Sequence, residues 1–418
     1  MDPKQLAALV SSLVSQALLL LSLPFPHPNP CASVPNRNNL PLFLFSSPPT
    51  PLAPLLSLLL HLLSSSSHIA ASVHFLPHKR KRKRHQHQPD LHVPRRGPDH
   101  FRLCFRMTST TFEWLSGLLD PLLDCRDPAG SALRLSGPTR LAIALSRLAS
   151  GASYPDLAYR FGVPESAARF CSKHLCRVLC TNFRFWLTFP SPSDLTTVSA
   201  GFQAVGHGLP DCCGAMACTR FEARGQSVVA AQIVADSSSR IIHIAAGFRG
   251  DRTDSSVLKC SSLYKDVQEG QLLGATQYLV GDGRYPLLPW LMVPFADPVR
   301  GSCEEDFNAV HQSMCRPVLR VVCSMRNWGV LSSLGEEENF KVAVACIGTC
   351  AILHNVLLMR EDYSALSDVS NENHMGLEHY GEDLGLEDFY CEMKASTLRS
   401  MLAVRARAAR DSGQIGIP

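Results

Sequence analysis

The side chains placed to do chemistry in this chain are carboxylates and cations that border apolar runs. Gln277-Tyr-Leu-Val-Gly-Asp282 is an apolar run that stops on a carboxylate, and Asp254 sits in Gly250-Asp-Arg-Thr-Asp-Ser-Ser-Val-Leu258. A strand tip in a mixed α/β sheet aims such a group into the crevice beyond the sheet. A second group is cationic: the segment 165–180 reads as a helix, with Glu165, Ser166, Arg169 and Ser172 outward near its start and Lys173 and Arg177 further on. Arg169 has the reach for a guanine edge and Ser166 for a phosphate, although Glu165 opposes both and the cation density is low. A third is the run Lys79, Arg80, Lys81, Arg82, Lys83 and Arg84, six cations that repel one another and read as an exposed tail segment. Such a run serves as a nuclear import address and touches phosphate backbones, the bland reading being a solvated linker.

Sixteen cysteines invite a zinc reading, but none forms a Cys-x-x-Cys pair, and Cys212 and Cys213 are adjacent. Reduced, buried thiols of an intracellular protein are the expectation. At 418 residues with 45% hydrophobic and 18% charged residues, the chain can bury a full core and has room for two or three domains. A net charge of +4 gives no global case for nucleic acid, so any such case rests on local clusters.

The elements that must position these groups follow from pattern. Gly214-Ala-Met-Ala-Cys-Thr-Arg-Phe221 predicts a buried strand, and 227–235 and 240–248 a hairpin turning at Asp236-Ser-Ser-Ser239. Upstream, 139–149, 154–161 and 165–180 predict three helices with Gly162-Val163-Pro164 as the turn, which is helix-turn-helix grammar and equally an ordinary packing unit. A helix with Phe112, Leu115, Leu118 and Leu119 on one side precedes them. The segment 340–360 predicts a long apolar helix in which His354 is a hydrogen-bonded core residue. In 395–410 a basic helix is expected, with Leu398, Met401, Leu402 and Val404 on its apolar side, free to dock a partner or to stay solvated. The first 90 or so residues are biased to Leu, Ser and Pro; neither apolar run there reaches the roughly 20 residues that span a bilayer, and a low-complexity leader without a membrane role is expected.

The blocks Asp211-Cys-Cys-Gly-Ala-Met-Ala-Cys-Thr219, Gly250–Leu258, Gly281-Asp-Gly-Arg-Tyr-Pro-Leu-Leu-Pro-Trp-Leu291, Phe307-Asn-Ala-Val-His311 and Cys350-Ala-Ile-Leu-His-Asn355 occur in an order that resembles the PIF/Harbinger-type DDE transposases and their domesticated plant relatives. The resemblance, over roughly 100–360, implies an RNase H-like mixed sheet with flanking helices over 205–362, preceded by a helix-turn-helix-like segment over 99–190; composition adds a low-complexity leader with the basic cluster over 1–98 and an acidic tail and terminal helix over 363–418. It also implies two Mg²⁺ ions held by three carboxylates, one on the first strand, one after the fourth and one on a following helix.

Matched position by position, the family's first aspartate falls on Ala217, its neighbouring histidine on Arg220, its second aspartate on Asp282 and its glutamate on Leu319. Only Asp282 is retained, with Asp254 a weak second ligand at best, and Pro317 is expected to kink the helix that carries the third position. No productively bound Mg²⁺ is therefore expected. The resemblance further implies a nuclear protein whose partners are chromatin regulators, such as a Polycomb repressive complex, or a Myb-like DNA-binding protein. Four readings follow: a nuclease-dead scaffold, a DNA-binding regulator through 139–180, an active metal-dependent nuclease, and a decaying reading frame.

Overall fold

A computed structural model describes residues 98–124, 135–205, 209–223, 226–334, 339–367 and 386–412. The cationic run Lys79–Arg84 and most of the leader lie outside the described residues. The helical layer comprises α1 (Pro98–Phe105), α2 (Ser109–Leu123), α3 (Gly137–Ser150), α4 (Tyr154–Phe161), α5 (Glu165–Thr181) and α6 (Leu195–Val205). Capping explains the boundaries of α3 and α4. Ser136 and Ser153 each accept a hydrogen bond from the backbone N–H three residues on, and Gly151 and Gly162 end α3 and α4 in the left-handed region, at φ of 68° and 62°.

Next come β1 (Cys212–Ala223), β2 (Gln226–Ala235), β3 (Ile241–Arg249), α7 (Asp254–Lys259), α8 (Ser262–Gln268), β4 (Tyr278–Val280) and β5 (Leu291–Met292). The chain closes with α9 (Cys303–Arg326), α10 (Phe340–Met359) and α11 (Leu386–Asp411). Among the described residues the strands form one mixed sheet, ordered β3-β2-β1-β4-β5; β1 and β3 flank β2 antiparallel, while β4 runs parallel to both β1 and β5. The β2–β3 hairpin turns where expected. The Asp236 carboxylate accepts from the N–H groups of Ser238 and Arg240, each at 2.9 Å, and Ser239 takes φ 64°. Gly214 is required by crowding, because a Cβ there would stand 2.8 Å from Val234 Cγ1 and 3.0 Å from Leu279 Cδ2.

Alternation along β1 divides the interior in two. Ala215, Ala217 and Phe221 face the cluster that contains Val310, Cys315 and Val318 of α9, while Met216 and Cys218 face the cluster with Val257 and Leu258 of α7. The first of these cores also takes in Met107, Leu115 and Leu145 of the helical layer and Ile347 of α10, so the sequence division between 190 and 205 does not divide the hydrophobic core. Helix α10 is long and apolar enough to cross a membrane, yet 78% of its most apolar window is buried inside the fold.

Two sequence expectations are corrected. Ser172 is buried, not outward, and donates to the Ala168 carbonyl at 3.0 Å, because the α5 face it shares packs inward. Helix α9 runs for 24 residues with Pro317 inside it. On α11 the inward face is Ala395, Leu402, Ala403 and Ala406, whereas Met401 and Val404 are 53% and 63% exposed. That helix lies on the body of the fold: Arg407 Nε pairs with Asp306 Oδ2 at 3.1 Å, and Arg410 adds a second ion pair to the same fully buried carboxylate.

Candidate functional site

Asp282 leaves the tip of β4 with its carboxylate buried, and its backbone carbonyl turns the chain by accepting from Tyr285 N at 3.2 Å. The backbone N–H of Arg284 donates to Asp282 Oδ1 at 3.1 Å, and the same residue's guanidinium grips Oδ2 from Nε at 3.0 Å and Nη2 at 2.5 Å. Burial raises the Asp282 pKa, and the Arg284 hydrogen bonds work against that rise. For Arg284, burial alone would lower the pKa, but bonding to Asp282 outweighs it and the net direction is upward.

Asp254 comes from the first turn of α7, capped by Thr253, whose side chain accepts from Ser256 N. Its side chain is 1% exposed; Oδ1 accepts a hydrogen bond from Arg220 Nη2 at 2.6 Å, and Oδ2 forms an ion pair, without a hydrogen bond, with Arg284 Nε at 3.1 Å. Arg220, at the position where the family resemblance implies a histidine, also donates to the carbonyls of Gly250 at 3.0 Å and Arg252 at 2.6 Å. The result is a chain of alternating charge, Arg220–Asp254–Arg284–Asp282, in which each carboxylate already holds a guanidinium.

The other two matched positions are apolar. Ala217 is 4% exposed in the core, and it lies on the opposite face of β1 from Cys218, the residue beside Asp254. Leu319 is half-buried on α9. Cys315, one turn before it, is the α9 residue close enough to Asp282 to feel its charge; burial, then that carboxylate, drive the thiol pKa well upward. Magnesium demands several oxygen ligands at about 2.0–2.1 Å in octahedral array. Two apolar seats, and two carboxylates committed to arginines, do not fit a two-ion centre. Among the described residues no group of three or more His, Cys, Asp or Glu is arranged to hold a metal. Sequence reasoning missed Arg284 because it searched for replacement acids; a cation two residues after Asp282 was the available signal.

The remaining motif residues hold backbone in place. Asn308 accepts from Phe295 N at 2.8 Å and donates to Phe295 O at 2.9 Å, and His311 donates to Met292 O at 3.2 Å, fixing β5 and the chain beyond it to α9. His354 donates to Ser239 O at 2.8 Å, and Asn355 bonds both backbone groups of Ile241, which pins the β2–β3 hairpin to α10. His311 and His354 are buried as neutral rings, each with its pKa lowered to about 4 by desolvation.

The cations of α5 lie apart from this site. Ser166, Arg169, Lys173 and Arg177 line one groove of about 590 Å³ with Glu165, Phe170 and His174. Arg169 is held there by Glu165 at 2.7 Å and lies over the Tyr154 ring at 4.6 Å, so its charge is partly answered within the protein. Arg177 donates to His174 Nδ1 at 2.8 Å.

Residues 213–355 match the family model of the DDE superfamily endonucleases, which implies an RNase H-like fold for the sheet described above. The chain is similar to the Arabidopsis thaliana protein Antagonist of like heterochromatin protein 1, with 28% identity over 335 residues, spanning 72% of this chain and 82% of that one. It is also similar to the protein ALP1-like of the same plant, with 25% identity over 309 residues, spanning 66% of this chain and 75% of that one. No solved structure gives a significant match.

Proposed function

We propose that this chain, a DDE-transposase-derived protein through its 213–355 domain and its plant relatives, works as a non-cleaving nuclear scaffold that associates with chromatin regulators. The observation that carries the reading is the Arg284 guanidinium bound to both Asp254 and Asp282. Phosphodiester cleavage by this family's route needs two divalent ions bridged by carboxylates, and the carboxylates here are engaged by arginine while the other seats are Ala217 and Leu319. The division among motif residues supports it further: Asn308, His311, His354 and Asn355 retain architectural bonds, and the positions that would hold metal do not retain their acids. A recruited fold keeps the first kind and can lose the second. The name of the first relative, an antagonist of a like heterochromatin protein, motivates the choice of chromatin as the setting.

The test has two parts. Purified full-length protein, incubated with supercoiled plasmid and Mg²⁺ or Mn²⁺, is expected to leave the plasmid intact; nicking that Asp282→Ala abolishes would overturn the reading. Tagged protein recovered from nuclei is expected to bring chromatin regulators with it, and nuclear accumulation is expected to fall when residues 79–84 are all replaced by alanine. Cytoplasmic residence of the unmodified protein would sink the nuclear role.

A second reading, DNA binding through α5, is favoured by the convergence of Ser166, Arg169, Lys173 and Arg177 on one groove. It expects affinity for duplex DNA that falls steeply with salt and a slope reduced by about one per cation in Lys173→Ala and Arg177→Ala. Salt-insensitive or undetectable binding removes it.

A further inference from the structure

We propose that Arg284 is this chain's own replacement for a divalent cation, a tethered positive charge seated where two buried carboxylates converge. A single atom carries the geometry: Nε lies 3.0 Å from Asp282 Oδ2 and 3.1 Å from Asp254 Oδ2. Oxygens of two carboxylates meeting at one point is how a hard cation is held, at distances of about 2.0–2.6 Å. The Nε nitrogen has one hydrogen, which it gives to Asp282; its 3.1 Å contact with Asp254 is an ion pair without a hydrogen bond, and Asp254 Oδ2 has no hydrogen-bond partner among the described residues.

The surroundings require a cation at that point. The two carboxylate side chains are 1% and 2% exposed, and two buried anions side by side are costly unless a positive charge separates them. Asp254 has a second cation in Arg220; Asp282 has Arg284. Charges therefore balance two against two, and a metal ion can enter only by displacing a guanidinium. The pocket also contains a ligand-type group that the arginines leave unused. The hydroxyl of Tyr285 is buried, has no hydrogen-bond partner among the described residues, and lies close enough to Asp254, Asp282 and Cys218 for their charges to act on it.

The consequence is a cross-link from the start of α7 to the tip of β4 that works without metal, and a latent divalent-cation site beneath it. This deepens the non-cleaving reading of the same site, but its readout is thermal stability in place of strand cleavage, so each can fail without the other. Thermal unfolding of the full-length protein is measured in EDTA and across a Mn²⁺ titration. The unmodified protein is expected to show one melting temperature throughout. Arg284→Ala is expected to melt several degrees lower in EDTA and to recover on a saturable Mn²⁺ curve, a recovery abolished by adding Asp282→Asn. A Mn²⁺-dependent rise in the unmodified protein, or an Arg284→Ala variant that is as stable as the parent or indifferent to Mn²⁺, overturns the proposal. Should Arg284→Ala fail to fold, Arg284→Lys decides: a single ammonium at the same point is expected to give a folded protein melting below the parent, and an unfolded product in this variant too would overturn the proposal.

Discussion

Asn355 behaves as an extra strand partner for Ile241: its Oδ1 accepts from the Ile241 N–H at 2.9 Å and its Nδ2 donates to the Ile241 carbonyl at 2.8 Å. Both bonds are buried, and they start β3 at a defined residue while attaching the hairpin to α10. Asn355→Asp keeps the acceptor and loses the donor, leaving a buried carbonyl unpaired, and is expected to cost about 1–3 kcal/mol in urea unfolding. Asn355→Leu loses both bonds and is expected to cost more; a Leu variant as stable as the parent would show that the pairing contributes nothing.

Gly329 and Gly151 allow the turn after α9 to press on the end of α3. A Cβ at Gly329 would stand 2.5 Å from the Ser150 carbonyl carbon, and one at Gly151 would stand 2.6 Å from the Gly329 oxygen. Gly329→Ala is expected to lower stability by about 1–3 kcal/mol, since backbone must shift to admit the methyl. Gly117 is exposed in α2, and a methyl added there would meet nothing within 4 Å. Its response should be the opposite, Gly117→Ala raising stability by about 0.5–1 kcal/mol. Equal responses at the two sites would contradict the packing described.

Acid should weaken the fold through its buried imidazoles. His243, His311 and His354 have pKa values lowered by burial to about 4, against an ordinary 6.5. Because the unfolded chain binds protons first, their contribution is fully present above pH 6.5 and is lost as pH falls towards 4, by on the order of 3 kcal/mol for each ring. Urea midpoints across this window are expected to fall with pH, and His354→Gln is expected to flatten the fall; an unchanged slope in that variant would exclude His354 from it.

The clasp between α9 and α11 should open by itself. Asp306→Asn removes the charge that Arg407 and Arg410 share, and the two arginines, partly exposed, remain hydrated. Hydrogen exchange is expected to accelerate across 386–411 while the sheet keeps its protection. Uniform acceleration throughout the fold would mean that α11 is integral to global stability.

Strands β1 to β4 and the three helices of 137–181 were legible because apolar period and turn residues agree locally: Asp236 and Ser239 turn the hairpin, and Gly151 and Gly162 end their helices. Motif order assigned Ala217 and Leu319 to two of the family's acid positions, and the structure places them buried in the core and half-buried on α9. What pattern could not supply was partnership across the chain. Arg407 and Arg410, on a helix whose inward face is Leu402, Ala403 and Ala406 while Met401 and Val404 face out, meet Asp306 about a hundred positions earlier. Arg284 escaped notice for a related reason: a cation next to an acid reads as a solvated pair until the second acid, Asp254, is brought to it by the fold.

The core shared between the helical layer and the sheet also shapes how the chain is made. Helices α1 to α5 leave the ribosome first, yet the apolar face of α5 is closed by α10, which begins at Phe340, 159 residues after α5 ends at Thr181. At typical synthesis rates of about 5–20 residues per second, Leu175 and Leu179 wait on the order of ten seconds or more for their partners. During that interval the apolar face of α5 lacks the partner that closes it in the finished fold.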